Sequence, residues 1–132
     1  MKNILHLTIN GPPQAKQRSR RGSAGNWYNP QSFEMNRCQR LIKSQLPKNF
    51  KMIPKNIPVI VNITWFFKPA KKNSILEDES FYHSQKPDLD NILKFVLDIL
   101  SKIVFYDDNQ VSGGLFRKYD SNNPRTEIEV MW

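Results

Sequence analysis

Apolar and polar residues alternate at the start of the chain. Leu5, Leu7 and Ile9 share one side of residues 3–9, a period of two that predicts a strand. Asn10-Gly11-Pro12-Pro13 stops it. Residues 11–29 then lose all periodicity and predict a long connection rich in Gly, Pro, Lys and Arg. Asn29-Pro30 reads as a cap followed by proline at the first helical position. The helix it opens should run to about Leu46, with Met35, Cys38, Leu41, Ile42 and Leu46 as its apolar stripe. Residues 57–67 give the clearest strand, with Val59, Val61, Ile63, Trp65 and Phe67 on one face. Connectors at 47–56 and 68–86 flank it. A second helix should begin near Asp88 and end near Ser101, burying Leu89, Ile92, Leu93, Val96, Leu97 and Leu100. Residues 111–119 and 126–132 predict two more strands joined by a turn at 120–124, with Gly113-Gly114 weakening the first or marking a bulge. The order β-α-β-α-β-β predicts a small α+β domain over residues 1–132, with a mixed β-sheet of about four strands and two main helices on one side.

Composition narrows the class. One cysteine among 132 residues excludes an internal disulfide and a Cys-rich zinc module. Cys38 lies on the buried stripe and reads as a small core residue. No apolar run approaches the ~18 residues of a membrane span, and the first residues lack an apolar signal core. A cytoplasmic protein with no membrane partner is expected. No glycine-rich phosphate loop and no Ser/His/Asp or Cys/His arrangement is visible, so no nucleotide cofactor is expected. The net charge is +8 and lopsided: residues 1–56 hold 11 Lys/Arg against one acid, residues 57–132 hold 9 against 11. A basic half beside clustered acids suits a polyanion gripped by one part and processed by another. A solvated basic surface is the plainer alternative. In the 11–29 connection, Lys16, Arg18, Arg20 and Arg21 offer contacts to phosphates, and Trp27 and Tyr28 offer stacking surfaces. Lys71, Lys72 and Lys86 add to the candidate grip.

The acids concentrate around the second helix. Lys86-Pro87-Asp88-Leu89-Asp90-Asn91 opens it, Lys94 and Asp98 follow, and Asp107-Asp108-Asn109-Gln110 comes just past its end. Such a cluster in a basic chain suggests Mg²⁺ acting on a phosphate backbone, because Mg²⁺ takes one or two carboxylates plus water and phosphate oxygens. Asp90, Lys94 and Asp98 are four apart and share a face. Each acid also has a plain structural reading. Asp88 would cap the helix, Asp90–Lys94–Asp98 would pair along it, and Asp107-Asp108-Asn109 would form a turn. His6 reads as structural, and His83 as structural or as an extra ligand or base.

Taken together, Lys86 to Lys94, Asp98, Tyr106-Asp107-Asp108-Asn109-Gln110-Val111 and Lys118 resemble the RusA family of Holliday-junction resolvases. Gly11-Pro12-Pro13-Gln14-Ala15-Lys16-Gln17-Arg18 and Pro124-Arg125-Thr126-Glu127-Ile128 also fit. The resemblance implies a homodimeric, Mg²⁺-dependent endodeoxyribonuclease, with Mn²⁺ as a substitute ion, acting in recombination and repair. Its substrate would be four-way junction DNA, nicked symmetrically in two opposed strands, in a phage or prophage setting. By resemblance, Asp88, Asp90 and Asp108 match the metal-binding acids and Lys94 the essential lysine. The stretch before Asp88 departs from the pattern, with Glu77-Asp78-Glu79 and a lone Lys86 where the family has a compact basic run. A nuclease for flaps or other branched DNA, and a non-catalytic junction-binding module, are the alternatives.

Overall fold

A computed structural model describes residues 1–69 and 82–132. Its strands are β1 (Ile4–Asn10), β2 (Arg20–Arg21), β3 (Trp27–Tyr28), β4 (Val59–Phe67), β5 (Val111–Gly113), β6 (Phe116–Asp120) and β7 (Arg125–Met131). The helices are α1 (Ser32–Gln45) and α2 (Leu89–Leu100), and a short 3₁₀ turn spans Asp108–Gln110. This is the expected single small α+β domain with two helices and a mixed sheet. Lys71, Lys72 and Glu77-Asp78-Glu79 lie outside the described residues.

The sheet runs β1-β7-β4, with β5 and β6 both on the far edge of β4. β7 lies antiparallel between β1 and β4, pairing Ile128 with Leu7 on one side and with Ile63 on the other. β5 and β6 run parallel to β4, as strands returned by the crossover helix α2 must. The segment 121–124 is therefore not a hairpin turn between neighbours. It carries the chain over the end of β4, where the Ser121 N–H donates to the Phe67 carbonyl at 2.7 Å.

Alternation sets the core. Leu5, Leu7 and Ile9 of β1, alternate residues of β4, and Ile128 and Val130 of β7 bury one face against Cys38 and Ile42 of α1 and Ile92, Phe95, Val96 and Ile99 of α2. Phe95 and Ile99 join the expected stripe of α2, whereas Leu89, expected inside, is 40% exposed at its first turn. Thr8, Asn62, Thr64, Glu127 and Glu129 line the opposite, open face.

Three boundaries differ from expectation, each for a local reason. The strand expected at 111–119 is two strands, because a Cβ at Gly114 would meet the Val61 carbonyl oxygen at 1.8 Å. The Asn62 side chain bridges the break, accepting from Leu115 N–H at 2.9 Å. Helix α1 starts after Gln31, not at Asn29-Pro30. Asn29 instead accepts the Gln31 N–H through its side chain at 2.9 Å, an Asx turn that delays the helix. The 11–29 connection holds the small β2–β3 hairpin, too short for periodicity to reveal. Among the described residues no helix is long and apolar enough to cross a membrane.

Candidate active site

Helix α2 presents the first acids. Its cap residue Asp88 is extended (φ −67°, ψ 146°), and its carbonyl accepts from the Asn91 and Ile92 N–H groups. The Asp88 side chain makes no capping hydrogen bond. Asp88, Asp90 and Lys94 are all exposed. Four positions apart, Asp90 and Lys94 rise on one face, one turn apart. Among the described residues Asp98 pairs not with Lys94 but with Lys16, whose Nζ sits 2.9 Å from Asp98 Oδ2. The Lys16 N–H also donates to the Asn91 carbonyl at 2.9 Å. Lys16, expected as a phosphate contact, thus ties the N-terminal connection to the polar stripe of α2. The plain structural readings of Asp88 as a side-chain cap and of the stripe as internal pairing are not what forms.

The segment that delivers Asp88 is held by β6 and its end. Lys118 Nζ donates to the Gln85 and Pro87 carbonyls, both at 2.7 Å. The His83 ring stacks on Phe67 at 4.4 Å between centroids. Its Nδ1 lies 2.6 Å from Asp120 Oδ1 and its Nε2 3.2 Å from the Lys86 carbonyl. The His83 N–H donates to the Lys118 carbonyl. His83 is therefore a brace. Lys86 itself is exposed beside the site.

The second acidic pair is built by Gln110. Its side chain is buried, with Nε2 donating to the Pro54 and Ile57 carbonyls and Oε1 accepting from the Tyr106 and Asp107 N–H groups. Asp107 caps the 3₁₀ turn by accepting from the Asn109 N–H at 3.3 Å, so its role is the turn former. Asp108 is left outward. The Asp107 carboxyl alongside, then burial, then the charges of Asp107 and Asp98, push the Asp108 pKa up. The same contact with Asp108 and the Asn109 N–H hold Asp107 down. Asp98 and Asp108 therefore share one field.

Among the described residues no three His, Cys, Asp or Glu side chains gather tightly enough to hold a metal ion. Gln110, Lys118, His83 and Gln31 were missed as supports of the site, although Gln110 and Lys118 stood within the motif. Gln31, 5% exposed, accepts from Gln17 N–H and donates to the Ala15 carbonyl, fixing the backbone on both sides of Lys16. Arg18, Arg20 and Arg21 stand exposed beyond it.

Comparison with known proteins shows the family. The family model described as "Endodeoxyribonuclease RusA" matches residues 10–131. A curated relative from Lactococcus phage r1t, "Crossover junction endodeoxyribonuclease rusA", is 30% identical over 92 residues, covering 67% of each chain. The match takes in both acidic pairs, Lys94, and the Gln110 and Lys118 that hold them in place, and the chain belongs to the RusA endodeoxyribonuclease family.

Proposed function

We propose that this endodeoxyribonuclease resolves four-way DNA junctions by paired nicks in opposed strands, with Mg²⁺ held by Asp88, Asp90 and Asp108. The observation that carries the reading is the pair Asp88 and Asp90. Both are exposed at a helix start, and neither side chain has a partner among the described residues. In a chain of net charge +8, carboxylates left unpaired amid available lysines point to a cation that arrives with the substrate.

The donor chemistry fits. Carboxylate oxygens are the hard ligands Mg²⁺ prefers, and it needs only one or two from protein, completing its shell with water and phosphate. The unrelieved repulsion around Asp108 is of the kind a dication removes. When bound, the ion would supply Lewis-acid charge at the scissile phosphate and a more acidic water. Asp88 and Asp90 orient it, and Asp108 adds a third carboxylate. Lys94, one turn beyond Asp90, offers its ammonium to the charge that builds on the phosphate oxygens. Lys86 and the exposed arginines of residues 18–21 take flanking phosphates. A two-fold dimer would present two such sites to the two opposed strands of a junction. The phage relative supports a phage or prophage setting.

The test is cleavage of a labelled synthetic four-way junction, with and without Mg²⁺, by wild type and by Asp90→Asn. Paired, ligatable nicks that need Mg²⁺ and vanish in the variant, with binding retained, are expected. Junction binding without cutting would leave a binding module. Preferential cutting of flaps would keep the acids and move the substrate.

A further inference from the structure

The β2–β3 hairpin stands off the core and carries chemistry that the acidic site does not use. Arg20 pairs with Tyr28 and Arg21 with Trp27, and all four are exposed. Trp27 is 69% and Tyr28 46% exposed, and neither belongs to the hydrophobic core. Cross-strand partners project to the same side of a ribbon, and successive residues to opposite sides. Each side of the hairpin therefore offers one guanidinium next to one aromatic ring, matching the two halves of a nucleotide, a phosphate and a base.

The tip is preorganised. The Gly22 N–H donates to the Asn26 carbonyl at 2.6 Å and the Gly25 N–H to the Gly22 carbonyl at 2.9 Å. Gly25 takes φ +83°, a left-handed conformation natural to glycine. The Arg21 Nε–H donates to the Gly25 carbonyl at 3.1 Å, closing the turn from the side. Charge selects the occupant. The first acid in the chain is Glu34, so no acid within the segment offsets Arg18, Arg20 and Arg21, while Lys16 is already paired with Asp98. A second copy of so basic a surface would be repelled, and a polyanion attracted. Bases stacked inside a duplex expose no face to a ring, whereas bases at a branch point do.

We infer that the β2–β3 hairpin is a nucleotide-binding finger: Trp27 and Tyr28 stack on bases unstacked at the branch point, and Arg20 and Arg21 take the adjoining phosphates. The inference rests on the junction-resolving reading for its substrate.

The test is binding by the full chain, in EDTA so that no strand is cut. The probes are a four-way junction with 2-aminopurine at the branch, its linear duplex counterpart, and a single strand carrying the same base. Trp27→Ala should weaken junction binding by about tenfold, the effect of losing one base–aromatic stack. It should abolish the 2-aminopurine response, leave duplex binding unchanged, and be largely rescued by Trp27→Phe. Arg20→Gln should weaken junction and duplex alike and lower the salt slope by about one. Wild-type behaviour of Trp27→Ala on the junction, or an equal loss on junction and duplex, overturns the finger. Should the wild type show no preference for the junction, the resolving reading fails and the single strand decides. A tenfold loss in Trp27→Ala there supports stacking, and equal binding overturns it.

Discussion

Gln110 makes four side-chain hydrogen bonds at 2.6 to 2.9 Å while only 5% exposed, which is the full capacity of a primary amide. Truncation by Gln110→Ala strands the Pro54 and Ile57 carbonyls on the inner side and the Tyr106 and Asp107 N–H groups on the outer side. A net hydrogen bond is worth about 1 kcal/mol, and a buried group left unsatisfied costs about 1–3 kcal/mol. Asp107 is exposed, so water can reach the outer pair, and the inner carbonyls carry most of the loss. The expected destabilisation is about 3 kcal/mol, which for a chain of this size lowers Tm by about 10 °C. Urea unfolding followed by far-UV circular dichroism reads it directly. Gln110→Glu is the sharper control. It keeps shape and volume but turns an acceptor onto two carbonyls, close to Asp107. At neutral pH it should be at least as damaging as the alanine. Its deficit should shrink as pH falls, because protonation restores one donor. Well below either Tm, cleavage should fall further than the folded fraction, since the turn presenting Asp108 has lost its anchor. A loss under 1 kcal/mol for Gln110→Ala, or wild-type stability for Gln110→Glu at neutral pH, would refute the reasoning.

Three further outcomes follow from other contacts. Lys118→Met removes the ammonium that holds the Gln85 and Pro87 carbonyls. Single-turnover cleavage should drop by more than tenfold while junction affinity changes only a few-fold, and a parallel fall in both would count against a positioning role. The Arg37 guanidinium beside Glu34 holds that carboxyl below its usual 4.5. The pair therefore stabilises fully above that value, and its contribution is lost as pH falls through the folded pKa. Arg37→Gln should cost at most ~1 kcal/mol at pH 7 and nothing once Glu34 is protonated, as urea midpoints at the two pH values would reveal. Cys38 is 1% exposed, and burial pushes its thiol pKa up. It should resist thiol reagents until the chain unfolds, and rapid native-state labelling would contradict its place in the core.

What could be read from the sequence follows from what each signal encodes. Period-two and helical apolar patterns placed β1, β4, α1 and α2, because burial of one face demands them. The acids and Lys94 were legible as a spacing, and α2 does present Asp90 and Lys94 on one exposed face. Pairing was not legible. The chain order alone suggested that the last two strands were neighbours, yet β7 inserts between β1 and β4. Nothing local distinguishes a tight turn from a crossing over a strand end. The hairpin at residues 20–28 escaped because two-residue strands carry no period. The supports escaped for a different reason: Gln31, Gln110 and Lys118 act on backbone carbonyls and N–H groups, whose positions only the fold supplies. Lys16 read as a phosphate contact, and only the fold shows α2 bringing Asp98 to it.

That last contact bears on why Lys94 is available at all. On an isolated helix Lys94 would have Asp90 one turn before it and Asp98 one turn after, and pairing would occupy it cheaply. The fold gives Asp98 another cation, Lys16, anchored through Asn91 and through the Gln31 contacts on either side of it. It gives Asp88 no side-chain role at the cap, because the backbone carbonyl there serves the helix. Two carboxylates and one ammonium are thus left facing solvent on adjacent turns. Had stability alone set these positions, the acids and Lys94 would have been paired with one another. That they are not, while Gln31, Gln110, Lys118 and His83 hold the segments around them, separates groups that hold the structure from groups left open, as the proposed phosphate and its ion would require.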